Sequence, residues 1–211
     1  MESASQKAHA SRRGYSPVWL VVTLVLIAVV TVLGPVERTL GERLHLVVLH
    51  GAWVWTGKIL FGAAALCGLP GLIRPRSFWP NLSLALGRAG LLFWLTYLPM
   101  SLVLQMQNWG GIFWDEPRWR IPLTFGVVGL LLQLGLGLID RPRLTSLANL
   151  VFGAALWVLL GGINNVLHPD SPIFGSNSTV IQTYFLVVTV LTLLAAGQIT
   201  WLFYRPRSRQ A

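Results

Sequence analysis

Apolar residues in this chain come in long unbroken runs, not in the one-sided stripes of a soluble helix. Six runs, roughly 17–35, 47–73, 85–106, 121–139, 147–167 and 180–203, carry almost no charge. Short breaks rich in Pro, Gly, Arg and Asp separate them. A helix rises about 1.5 Å per residue, so about 20 apolar residues cross the ~30 Å hydrocarbon core of a bilayer. A helix apolar on every side has to be buried in protein or lipid. The pattern predicts an all-α, polytopic membrane protein with six transmembrane helices over 17–203, between tails at 1–16 and 204–211. No break is long enough to hold a further domain.

Composition supports this reading. Hydrophobic residues make up 54% of the chain and charged residues only 11%, too apolar for a soluble domain of 211 residues. The first run follows Lys7, Arg12 and Arg13 as a signal peptide would. It is too long for a signal core and no small-residue cleavage site follows, so a retained first helix is expected. The net charge of +9 is a matter of topology. Lys7, Arg12 and Arg13, then Arg74 and Arg76, Arg141 and Arg143, and Arg205, Arg207 and Arg209 fall on one side if six helices alternate. That side is expected to be cytoplasmic, with both termini on it. The other side mixes Arg38, Arg43, Arg118 and Arg120 with Glu37, Glu42, Asp115, Glu116 and Asp170. Basicity distributed in this way does not point to nucleic acid.

Polar groups that the bilayer penalises are the candidates for function. Three elements lie at one depth near the non-cytoplasmic face: His50 in the second helix, His168 after the fifth, and the loop 107–120 between the third and fourth. Taken singly, each histidine also fits a residue snorkelling or hydrogen-bonded at a helix end. Together, two imidazoles at matched depth are able to hold one heme iron axially. His45, in a polar loop, is expected to be solvated, and His9 lies in the basic tail. The loop carries Trp109, Trp114 and Trp119 with Phe113, and reads either as an interfacial aromatic belt or as a flat platform. Gly110 and Gly111 permit close backbone approach, and Arg118 and Arg120 suit anionic carboxylates. Lys58, deeper in the second helix, calls for an acceptor that the sequence does not name. Arg88 is placed to snorkel, and Asn164 and Asn165 to orient His168 or bridge helices. The lone Cys67 has no internal partner, and no Cys-x-x-Cys-His is present for covalent heme attachment.

In order and side of membrane, residues 45–185 resemble the cytochrome c assembly family, in its six-helix, heme exporter protein C type. Leu49-His50-Gly51-Ala52-Trp53 is similar to that family's histidine at the start of helix 2. Trp109-Gly110, Trp114-Asp115 and Arg118 are similar to its tryptophan-rich WWD loop, with one residue fewer before Trp114 and the Arg one place later. Leu167-His168-Pro169 stands where the family has its second histidine, whereas Trp119 and Arg120 lie outside the family pattern. The resemblance implies a non-covalent heme b with His50 and His168 as axial ligands to iron. It implies a heme surface built from Trp109, Gly110, Trp114, Asp115 and Arg118. It also implies a bacterial-type inner membrane location with the heme on the non-cytoplasmic face, and a role in c-type cytochrome maturation. Partners would then be other maturation proteins of that membrane or a heme chaperone. No nucleophile or acid–base pair is evident, so the chain is not expected to be an enzyme by itself. The same pattern leaves open a diverged heme-free structural subunit, a b-type electron-transfer cytochrome and a small-molecule permease.

Overall fold

The computed structural model describes residues 17–76, 78–163, 167 and 173–204. Among these residues six helices follow one another: α1 (Val18–Val32), α2 (Arg43–Ile73), α3 (Trp79–Trp109), α4 (Pro117–Ile139), α5 (Pro142–Gly161) and α6 (Thr179–Phe203). There is no strand among the described residues, only an isolated bridge between Glu37 and Gly41. The fold is all-α.

Proline and glycine set the helix ends, which do not coincide with the ends of the apolar runs. The third, fourth and fifth helices start at 79, 117 and 142, not at 85, 121 and 147, each with Pro at its first or second position. Pro suits that site because its missing N–H would have no acceptor there. Hydropathy marks where hydrocarbon ends, but backbone hydrogen bonding continues into the polar residues outside it. α3 stops where Gly110 takes a left-handed conformation, φ 73°. α5 stops at Gly161, short of the expected 167. α1 has 15 residues, about 22 Å at 1.5 Å each, because Gly34-Pro35 ends it. Five helices, α2 to α6, are therefore long and apolar enough to cross a bilayer; α1 is apolar but shorter.

After α1, the Glu37 carboxylate accepts amide hydrogen bonds from Thr39 and Leu40, both at 2.8 Å. The Leu40 and Thr39 amides favour its charged form and hold its carboxyl below the usual carboxylate range.

α2 and α3 form the central pair. α5 and α6 pack against both, α4 lies against α3 and α5, and α1 leans on α6 and α2. The bundle is apolar outside and, in part, polar inside. Leu131, Leu134, Leu138 and Val158 face outward, while Ser83, Thr145, Ser146, Asn149 and Gln133 are buried. Lipid gives no hydrophobic drive to bring helices together, so close approach and hydrogen bonds do that work. At Gly153 an added Cβ would sit 2.5 Å from the Phe61 carbonyl oxygen, which ties α5 closely to α2. Gln133 Nε2 donates to Asn149 Oδ1 (2.8 Å), and Asn149 Nδ2 donates to Ser83 O and Oγ (3.1 and 3.0 Å). Ser83 Oγ in turn donates to Ala64 O at 2.8 Å. This chain crosses from α4 through α5 and α3 to α2. The length and apolarity of α2–α6, together with this inverted polarity, identify an integral, multi-pass membrane protein.

Candidate functional site

At the end of the bundle where α2 begins and α3 finishes, the helices diverge around a cavity of about 490 Å³, within the range of small-molecule and cofactor sites. α2 gives it Val47, His50, Gly51, Val54 and Lys58, a stripe at three- and four-residue spacing on one helix face. α3 gives Trp94, Tyr97, Ser101, Gln105 and Asn108 in the same rhythm. The first turn of α4 adds Glu116, Arg118 and Trp119.

His50 is half-buried and meets the Tyr97 ring edge-on, with centroids 5.5 Å apart. Tyr97 in turn stands edge-on to Trp94 at 4.8 Å, and the fully buried Trp94 donates from Nε1 to Pro122 O at 2.9 Å. An aromatic relay from α3 to α4 therefore braces the imidazole. Behind it, a Cβ on Gly51 would meet the Phe185 ring at 3.1 Å, so α6 closes the other side.

The loop between α3 and α4 is folded back by the amide of Phe113, which donates to the buried Gln105 Oε1 at 2.9 Å. Arg43 reaches across from α2 to donate to Gln107 O at 2.7 Å. Trp109 lines the cavity and packs edge-on to Phe113. Gly110 lies off the cavity wall and shapes the loop through its left-handed cap. Trp114 and Asp115 also lie off the wall. Trp114 is exposed and rests against Trp119, and Asp115 pairs with Arg120 at 3.6 Å on the outer surface. Such an exposed pair contributes about 0–1 kcal/mol.

Of the sequence-predicted site residues, His50, Trp109 and Arg118 thus share one cavity, and Trp114, Asp115 and Gly110 do not face it. His168, with Asn164 and Asn165, lies outside the described residues. Ile163 and Ile173, on either side of that segment, both line the cavity.

Sequence reasoning grouped Trp119 with the loop's aromatic belt or platform and did not place Glu116 or Tyr97 on the cavity. Pro117 at the first helical position was the signal that Glu116 and Trp119 turn inward, since it starts α4 early. For Lys58 the expected acceptor proves to be aromatic: Nζ lies 4.3 Å from the Trp55 ring centroid and 4.6 Å from that of Trp157. Trp157 Nε1 also donates to the Lys58 carbonyl at 3.1 Å. His45 is half-buried, not solvated: its Nε2 lies 3.1 Å from Gly34 O and its ring meets Tyr184 edge-on, away from the cavity.

Among the described residues no three His, Cys, Asp or Glu converge. The donor set on the wall is one imidazole amid indoles, with the cations Lys58 and Arg118 and the carboxylate Glu116. That chemistry suits a flat apolar ligand with anionic edges. No family model, curated protein or solved structure matches the chain.

Proposed function

We propose that this chain binds heme b non-covalently in the cavity and hands it on during c-type cytochrome maturation. The observation that carries the proposal is the sharing of one cavity wall by His50, Trp109 and Arg118, with Ile163 and Ile173 flanking the segment that holds His168. Bound there, heme would supply an iron that imidazole can ligate. His50, braced by Tyr97, and His168 would be the residues that hold it. Arg118 would pair with a heme carboxylate, and the half-buried Trp109 would provide aromatic surface for the ring. Gly110 shapes the loop, while Trp114 and Asp115 on its outward side are left for a partner, another maturation protein or a heme chaperone. Arg74, Arg76 and Arg143 gather around one recess at the opposite end of the bundle. This supports a cytoplasmic location for that end, with six spans, both termini cytoplasmic and the cavity on the outer face of a bacterial-type inner membrane.

The test is the reduced-minus-oxidised spectrum of the purified protein, repeated for His50→Ala and His168→Ala. Bis-imidazole heme is expected in the wild type and an altered or missing spectrum in each variant. Absence of heme from the wild type after hemin reconstitution sinks the proposal. So does a spectrum unchanged from the wild type in both variants.

A further inference from the structure

Two buried polar atoms on the cavity wall have no hydrogen-bond partner among the described residues: Glu116 Oε1 and Trp119 Nε1. Both side chains are more than nine-tenths buried, Glu116 at 6% exposure and Trp119 at 4%. An orphaned buried acceptor or donor costs about 1–3 kcal/mol, so a pair of them on two residues of one cavity wall is unlike ordinary packing. They stand three residues apart at the start of α4, the spacing that puts two side chains on one helix face. Glu116 caps the helix through its backbone, whose carbonyl accepts from the Trp119 amide at 2.9 Å and leaves the side chain for the cavity.

We propose that Glu116 and Trp119 together bind a carboxyl group of the cavity's ligand, with one proton shared between the ligand carboxyl and Glu116. Trp119 Nε1–H donates to one oxygen of the ligand group. The other oxygen and Glu116 Oε1 sit on either side of the shared proton. One carboxyl thereby satisfies an orphan donor and an orphan acceptor at once, which neither a carboxylate without the proton nor an ammonium group does. The other titratable groups on the wall are His50 and Lys58 of α2, Tyr97 of α3 and Arg118 of α4. The inference rests on the heme reading, in which the group is one of heme's two carboxyls, and it assigns the recognition to residues outside the Trp114-Asp115 pair.

The experiment titrates hemin into purified heme-depleted protein in micelles at neutral pH, reading affinity by absorbance and proton uptake by calorimetry in buffers of different ionisation enthalpy. Trp119→Phe is expected to weaken hemin about tenfold, the loss of a hydrogen bond to a charged group, with proton uptake unchanged. Glu116→Gln donates its own N–H to an ionised carboxylate, so it is expected to bind hemin within about threefold of the wild type. It should take up one proton fewer. Thermal unfolding of Glu116→Gln should match the wild type, and Trp119→Phe should lose only what its smaller buried ring costs, since neither polar atom has a partner to lose. Equal affinity in Trp119→Phe, or equal proton uptake in Glu116→Gln, overturns the inference while leaving heme binding in place. If the wild type binds no hemin, the heme reading has failed and the inference falls with it.

Discussion

Removing Trp157 tests how this protein holds a lysine within its bundle without an acid beside it. Lys58 Nζ lies over two indoles, Trp55 at 4.3 Å and Trp157 at 4.6 Å, and no carboxylate is in ion-pair contact with it among the described residues. Each cation–π contact is worth about 0.5–1 kcal/mol when exposed and about 2 when desolvated. Trp157→Leu removes one of them. It also removes the indole hydrogen bond to the Lys58 carbonyl, worth about 0.5–1.5 kcal/mol, and the edge contact with Trp55 at 6.3 Å. The summed loss is roughly 1–3 kcal/mol. That sum alone would not show which contact matters, but a double-mutant cycle with Lys58→Met would. The indole hydrogen bond ends on backbone, so Lys58→Met leaves it intact and it cancels from the cycle. The coupling energy then reports the cation–π contact alone, expected at about 1 kcal/mol. Reversible unfolding in mixed micelles with rising SDS fraction, followed by tryptophan fluorescence and circular dichroism, gives the four stabilities. A coupling below about 0.3 kcal/mol, the ordinary scatter of additivity, would refute the claim that indoles stand in for a counter-ion.

Two further outcomes follow from the buried polar contacts. Asn149→Ala breaks three hydrogen bonds linking α5 to α3 and α4, and at about 0.6 kcal/mol each in a membrane interior should cost about 2 kcal/mol in the same unfolding assay. Gln105→Ala takes away the acceptor of the Phe113 amide, so amide exchange at Phe113 should quicken roughly five- to tenfold for a lost bond of about 1 kcal/mol. Unchanged exchange there would mean that Gln105 does not hold the loop.

The order of helices was legible because a bilayer makes a coarse demand: a long run without charge. The ends were not, because they answer to local chemistry that hydropathy averages away. Pro80, Pro117 and Pro142 start helices outside the apolar windows, and Gly34-Pro35 stops α1 inside one. His50 was legible as a candidate only through its matched depth with His168 and the loop, since alone it also fits a residue hydrogen-bonded at a helix end. Its place beside Trp109 and Arg118 followed from matched depth. The setting of Lys58 was not legible, since one of its two indoles comes from α5, 99 residues on in the chain.

The neighbours Asp115 and Glu116 show where sequence reasoning loses its resolution. They have the same charge in the same loop, yet one is fully exposed and the other is buried at the cavity. The difference lies in a rotation fixed by three local features. Gly110 reverses the chain in a left-handed turn that a residue with a Cβ adopts only at a cost. Gln105 then pins the Phe113 amide, and the Phe113 carbonyl accepts from the Glu116 amide at 3.2 Å. Pro117 opens α4 at the next residue. Once the helix begins there, a step of about 100° per residue separates neighbouring side chains. Glu116 and Trp119 fall together on the inner face, and Asp115 is left outside with Arg120. A motif match assigns the loop's acid and indole to Asp115 and Trp114, and the helix start assigns the inward pair to Glu116 and Trp119. Whichever ligand the cavity holds, its polar contacts on this wall are set by the position of one proline.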